Sequence, residues 1–330
     1  RLSMSAGFTN THMFEGSTVP AEILEFLDTE GDDFDEYTLG LNWRYNGLNR
    51  GMFPTAGIEQ KLSVDLGVPG SDLTTYKLGY TANYYFPLFE DWSFRVRTEL
   101  GYANGYGDQK QLPFFKNFRS GGLGSVRGYT SNSLGPRGLP EYTVVPVVQT
   151  DSDGNVLYET DELGKPVVDS SAPTVVYKTD EDGAAVAVSN SSQYKPIYDT
   201  DADGSAVTAP AYYETARSLG GNMLAEASLE LIFPFPFVED RSSLRSVLFF
   251  DAGNTFTDSC YTPNDADVPS LTSHPYCTEG LNLSDLGLST GVGLTWVTAI
   301  GPLTFVYSIP LNDQRGDRTE GFEFSLGQVF

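Results

Sequence analysis

Hydrophobic and polar residues alternate with period two along much of the chain. The alternation is cleanest in "LGLSTGVGLTWV" at 286–297. Leu286, Leu288, Thr290, Val292, Leu294 and Trp296 fall on one face, and Gly287, Ser289, Gly291, Gly293 and Thr295 on the other. Period two marks a β-strand, whose successive side chains point to opposite sides. A strand of a water-soluble sandwich also alternates, but its outer face carries Lys, Glu or Thr; here one face is greasy and the other small and polar. Tyr37, Leu39, Leu41, Trp43 and Tyr45 likewise oppose Thr38, Gly40, Asn42 and Arg44. Phe94, Val96, Thr98, Leu100 and Tyr102 oppose Arg95, Arg97, Glu99 and Gly101.

The pattern predicts about ten strands, near 2–14, 36–46, 57–67, 74–87, 91–105, 220–233, 244–257, 285–298, 301–310 and 319–330. Their lengths suit a bilayer crossed at a tilt, which takes about 9–11 residues. Charges keep almost entirely to the polar face, as expected if the other face meets lipid: a basic side chain at mid-bilayer costs ~2–4 kcal/mol there. No stretch reaches the roughly 18 apolar residues of a spanning helix. The expected fold is therefore all-β, a transmembrane antiparallel barrel. Short connections ("PLFED", "PFPFVEDRSS", "TAIG") alternate with long ones at 15–35, 106–219, 258–284 and 311–318, apart from the short "VPGSD" turn. Short turns on one side and long loops on the other are the outer-membrane arrangement. The C-terminus then lies on the short-turn, periplasmic side.

Composition adds three constraints. Formal net charge is −24, from 20 Lys+Arg against 44 Asp+Glu, which argues against a nucleic-acid partner and keeps exposed loops soluble. Much of the acid lies in the long 106–219 connection, in an insert at 139–215 that repeats "TDSDGNV", "TDELGKP", "TDEDGAAV" and "TDADGSAV". Asp-Gly between short apolar runs reads as a chain of exposed hairpins whose two central turn residues both take positive φ. "DTDADG" also mimics the start of a calcium loop, but Pro210 stands where the bidentate Glu belongs, so no metal is expected. Cys260 and Cys277 share a Pro/Asp/Ser-rich segment without a ligand set for zinc, His274 alone being a poor substitute. A disulfide in an oxidising compartment is the better reading, with two free thiols as the alternative. Arg1 is followed directly by an alternating strand, as in a chain cut from a longer precursor.

Nothing points to an enzyme. His12 and His274 are the two histidines, neither in a nucleophile setting, and "GGLGSVRG" lacks the Gly-Lys-Ser/Thr ending of a phosphate loop. The informative groups are charges on the polar face. Glu230 and Asp251, on successive strands, both point inward and repel unless a cation lies between them. Water and other luminal cations are one answer. The other is Arg127, reaching in from the long loop, since a planar guanidinium serves two carboxylates at once. The neighbouring Gly121, Gly122 and Gly128 would let the backbone turn tightly enough to reach.

"PFFKNFRSGGLGSVRGYTSNSLGP" resembles the long loop of the BamA family of outer-membrane barrel assembly factors, including its Val-Arg-Gly-Phe/Tyr signature, here Val126, Arg127, Gly128 and Tyr129. "LNRGMFPTAG", "GGNMLAEASLELIFP", "FFDAGNTF" and "GPLTFVYSIP" are similar to successive strands and turns of the same barrel. The resemblance implies a sixteen-strand barrel of a Gram-negative outer membrane, of which this chain carries about the last ten strands (1–330); the preceding strands and POTRA domains are absent. It implies a loop folded partly into the lumen, with Arg127 paired to Glu230 and Asp251. The last strand would form a lateral gate, with Gly327 at its kink and Phe330 at its end. The implied function is assembly of other outer-membrane β-barrels without ATP or cofactor. The implied partners are unfolded substrates, accessory outer-membrane lipoproteins and the lipid bilayer. A two-partner secretion transporter and a diffusion porin are the rival readings.

Overall fold

A computed structural model describes residues 1–14, 19–89, 91–109, 111–139, 142–180, 183, 185–212, 217–235, 243–261, 276–299, 301–314 and 316–327. The main sheet begins with β1 (Leu2–His12), β2 (Asp33–Asn46), β3 (Gly57–Gly67), β4 (Thr75–Phe89) and β5 (Trp92–Gly105). Four short strands follow inside the long connection: β6 (Tyr142–Pro146), β7 (Val175–Thr179), β8 (Ala185–Ser189) and β9 (Thr208–Tyr212). The sheet resumes with β10 (Met223–Phe233), β11 (Leu244–Phe256), β12 (Gly287–Thr298), β13 (Gly301–Asn312) and β14 (Phe322–Leu326). All ten main strands join in one antiparallel sheet, in the order β1-β2-β3-β4-β5-β10-β11-β12-β13-β14. Among the described residues β1 and β14 are its two edges, so the barrel wall is not closed.

Alternation sorts the two faces as the sequence pattern requires. Leu39, Leu41, Trp43, Leu100, Leu248, Phe250, Val292, Trp296, Phe322 and Phe324 stand exposed on the outer face, where lipid covers them. A polar outer residue, Gln60, is satisfied within the face by the Tyr80 and Tyr84 hydroxyls, at 3.0 and 3.1 Å. The inner face of β10–β13 is buried. Tyr85, Ile232, Val247, Phe249 and Val306 form an apolar luminal cluster there, with Leu48 and Leu123 packed on it. Phe249 lies directly across from Gly291, where a Cβ would stand 2.7 Å from its ring.

Three features depart from the sequence reading. The connection expected at 15–35 contains a helix, α1 (Ala21–Glu30), which starts after Pro20. Its Phe26 ring packs against Phe34, Phe114 and Phe115, and Glu22 accepts the Leu139 N–H at 2.8 Å, so tertiary contacts hold the helix. The final strand is shorter than expected, with 328–330 outside the described residues.

The third departure is in the Asp-Gly turns. The glycines alone take positive φ (Gly154 80°, Gly164 74°, Gly204 79°), and each Asp carboxylate caps two following N–H groups. Asp151 N–H and Asn155 O close the first loop at 2.9 Å, giving a longer bulged turn in place of a two-residue one. Nor are the hairpins independent. Leu157 N–H donates to Gln149 O, Ile197 to Leu157 and Lys195 to Val167, so the segments share one small sheet over buried Val147, Val148 and Val176. No helix of the described residues is long and apolar enough to cross a membrane.

Candidate functional site

The long connection leaves β5, makes a short 3-10 turn at Phe114–Lys116 and meets the start of β10, where Phe118 N–H donates to Gly221 O at 2.8 Å. Beyond it the chain turns into the lumen. Gly121 and Gly122 take φ of 98° and 99°, which a side chain would resist, and the loop closes through Gly122 N–H to Val126 O at 3.1 Å. Glu226 on β10 anchors this descent by accepting the Ser120 hydroxyl at 2.7 Å and that of Ser125.

Arg127 then meets the wall at mid-height. Ser228 and Asp251 are register partners near the middles of β10 and β11, five residues below Met223, or about 16 Å down the strand. Arg127 Nε donates to Asp251 Oδ2 at 2.7 Å and Nη2 to Oδ1 at 2.7 Å, a side-on fork, while the Arg127 amide donates to the same Oδ2 at 3.1 Å. Nη2 also reaches the Ser228 hydroxyl and Glu230 Oε1, each at 3.0 Å. Ser228 in turn donates to Asp251 at 2.6 Å. The guanidinium lies over the Phe249 ring, 3.6 Å from its centre. All of these groups are buried, Arg127 to 3% exposure and Asp251 to 0%. Buried charges survive when they are paired and hydrogen-bonded, and here each is. Glu230 has a second cation, Arg95 Nη1 at 3.0 Å, itself held by Asn83.

The residues after Arg127 tie the loop to the last strands. Gly128 sits at φ 90° with Ser308 and Ser289 where a Cβ would come, at 3.2 and 3.4 Å, and its N–H donates to Glu323 Oε1 on β14 at 3.0 Å. Tyr129 is fully buried, its hydroxyl donating to Asn312 O at the end of β13. Burial pushes its phenol up to about 12, so it remains a donor at physiological pH. Val126, Tyr129 and Leu134 form a small apolar cluster of their own. The wall makes room for them with small residues: a Cβ on Gly253 would stand 2.9 Å from Val126, and one on Gly287 3.0 Å from Leu134.

The structure thus gathers Val126, Arg127, Gly128, Tyr129, Glu230 and Asp251 into one site. Gly327 follows β14 at φ 94° with open space around it, and its N–H donates to Pro302 O at 2.8 Å; Phe330 lies outside the described residues. Cys260 and Cys277 are joined as a disulfide away from the site. His274 also falls outside the described residues. Ser228, Phe249, Arg95 and Glu323 escaped the sequence reading as participants. Strand parity was their signal, since each lies on the same face as a residue that was singled out.

Three comparisons bear on this architecture. Residues 2–330 match the model of the Omp85 superfamily domain. The chain is 27% identical over 295 residues to the outer membrane protein assembly factor BamA of Neisseria meningitidis serogroup B, covering 88% of this chain and 28% of that protein. BamA of Nitratidesulfovibrio vulgaris is 30% identical over 124 residues, 37% of this chain and 13% of that protein. The crystal structure of BamA from Haemophilus ducreyi lacking POTRA domains 1–3 superposes with a TM-score of 0.64 and 25% identity, over 98% of this chain and 49% of that one. The chain therefore spans less than a third of these curated relatives. Ten alternating strands with a lipid-facing apolar side, an arginine-bearing loop turned into the lumen and a family match along nearly the whole length agree: the chain belongs to the Omp85 superfamily, as an outer-membrane β-barrel of the BamA type.

Proposed function

We propose that this chain is the barrel portion of a machine that folds and inserts other outer-membrane β-barrel proteins, working by strand templating rather than by chemistry on a bound substrate. The observation that carries the reading is the double attachment of the loop tip: Arg127 to the wall at Asp251 and Glu230, and Gly128 to the last strand at Glu323. In a bilayer, unpaired N–H and C=O groups cost several kcal/mol each, so a weakly paired edge strand recruits another strand. β14 pairs with β13 over the five positions from Leu303↔Leu326 to Tyr307↔Phe322, a short ladder for a spanning strand. A substrate strand of alternating pattern adds there by β-augmentation, with Gly327 as the bend that lets β14 leave its neighbour. Arg127 holds the loop so that the edge keeps its shape. Unfolded outer-membrane proteins are then the substrates, with accessory lipoproteins and the bilayer as surroundings, and ATP and cofactors have no part. A diffusion porin is disfavoured because the loop and an apolar cluster fill the luminal side of β10–β13.

The test is reconstitution. The full-length protein, in liposomes without nucleotide, should accelerate folding of an urea-denatured β-barrel substrate at least tenfold over empty liposomes, read by gel mobility of the folded barrel. Equal rates with and without the protein would overturn the reading.

A further inference from the structure

Near the start of β11, on its polar face, stands a charge that no acid of the wall answers. Arg245 is 4% exposed, and its Nε, Nη1 and Nη2 meet no hydrogen-bond acceptor among the described residues. Two aromatic rings flank the guanidinium, Tyr85 at 5.6 Å and Phe53 at 5.8 Å from Cζ to ring centre. An aromatic face attracts a cation more weakly than a carboxylate does. Phe53 lies in the turn between β2 and β3 and holds φ at 52°, a conformation that a bulky residue rarely adopts.

Register brings a carboxylate close by. Tyr85, Arg95, Glu230 and Phe249 stand in one row across β4, β5, β10 and β11. Arg245 begins four residues below Phe249 on the same face, about 13 Å along the strand. Its guanidinium climbs toward that row, since it lies against the Tyr85 ring. Arg95 lies against the same ring, its Cζ also 5.6 Å from the centre, and its Nη1 is 3.0 Å from Glu230 Oε2. Arg245 and Glu230 are within electrostatic reach of each other.

Glu230 divides its oxygens between two cations, Oε2 to Arg95 and Oε1 to Arg127. The first is fixed to a strand; the second rides on the loop. When the loop lifts, Oε1 loses its cation while Glu230 stays in the wall, where it is 1% exposed. An uncompensated buried charge is what makes breaking such a pair costly. The space that Arg127 leaves is bordered by the Phe249 ring, on the strand and face of Arg245 itself.

We propose that Arg245 is a reserve counter-ion for Glu230: it rests on the two rings while Arg127 is docked and moves to Oε1 when the loop leaves. The loop can then undock and return without stranding a carboxylate at Glu230. Asp251 has only the Ser228 hydroxyl to fall back on, so Asp251 sets the strength of docking and Glu230 does not. The exchange goes beyond the templating function and does not depend on it.

The test uses the full-length folded protein. A structure of the Arg127→Ala variant should place an Arg245 nitrogen within hydrogen-bond distance of Glu230 and away from Phe53. A guanidinium still lying against Phe53 and Tyr85 would overturn the proposal. Should Arg127→Ala fail to fold, Asp251→Asn loosens the same loop, keeps all three arginines and gives the same comparison. Unfolding rate at a fixed temperature, read by gel mobility of the folded barrel, tests the pairing separately. Arg245→Met fills much of the same space without the charge. Made alone it should change the rate less than threefold, because Arg127 still serves Glu230. In the Arg127→Ala background it should speed unfolding about tenfold or more, the loss of one bond to a charged group. Equal effects in the two backgrounds would overturn the exchange. Slower unfolding of Arg245→Met in the parent alone would mark simple repulsion between the two cations and overturn it as well.

Discussion

Truncating Arg127 to alanine removes two guanidinium bonds to Asp251, the contacts to Ser228 and Glu230, and the cation lying on Phe249. The two acids are not left equally exposed to the loss. Glu230 keeps Arg95 at 3.0 Å, whereas Asp251 keeps only the Ser228 hydroxyl and, if the backbone holds, the residue 127 amide. Breaking a buried ion pair by removing one partner costs ~3–5 kcal/mol, and the surviving bonds argue for the lower end. At about 1.4 kcal/mol per tenfold, 3 kcal/mol raises the undocked population of the loop roughly 100-fold. Arg127→Lys keeps the charge but loses the fork. One lost bond to a charged group, ~1.5–3 kcal/mol, gives about 10- to 100-fold. Hydrogen exchange of the segment at 120–134 measures this directly, because the amides of Arg127 and Gly128 are both bonded to carboxylates in the docked state. Gel mobility of the folded barrel controls for unfolding. Less than a threefold increase in exchange for Arg127→Ala in a folded barrel would refute the claim that this guanidinium holds the loop.

Two further expectations concern regions outside the site. Reducing Cys260–Cys277, 17 residues apart, should remove ~3 kcal/mol of chain-entropy constraint from the connection between β11 and β12. Exchange should rise around the Thr257–Glu279 bridge and stay unchanged within the strands; faster exchange in β11 itself would contradict this. In the acidic insert, the Asn155 side chain, then backbone N–H groups, hold the Asp151 carboxyl below the usual carboxylate range, and Ser171 does the same for Asp169. A depressed folded pKa contributes stability that is complete above the unfolded value, about 3.9, and is lost as pH falls through the lower folded value. Exchange at the 151–155 turn should therefore rise only below about pH 4. Asp151→Ala should show the raised exchange at neutral pH, and a turn equally protected in that variant would count against the carboxylate cap.

Local pattern determined the strands and their faces. Period-two alternation placed each main strand within a few residues, because a chain crossing lipid must turn one side of every strand outward and keep charge off it. The same parity marked Glu230 and Asp251 as inward, and Arg127, set among glycines in the long loop, as a candidate for them. What the small inner face was for could not be seen locally. Gly253, Gly287, Ser289 and Ser308 belong to that small inner face, and in the fold they clear space for Val126, Leu134, Tyr129 and Gly128 of a loop more than a hundred residues away. Helix α1 was equally hidden, since its stability comes from Phe26 meeting Phe34, Phe114 and Phe115 rather than from its own sequence. The two prolines of β13 were visible from the start. That Pro302 faces the terminal segment, its carbonyl accepting the Gly327 N–H, follows only from the register of a folded sheet. Alternation is a property of neighbours along the chain; which neighbour a backbone N–H points toward is settled only when strands from distant parts of the chain have paired.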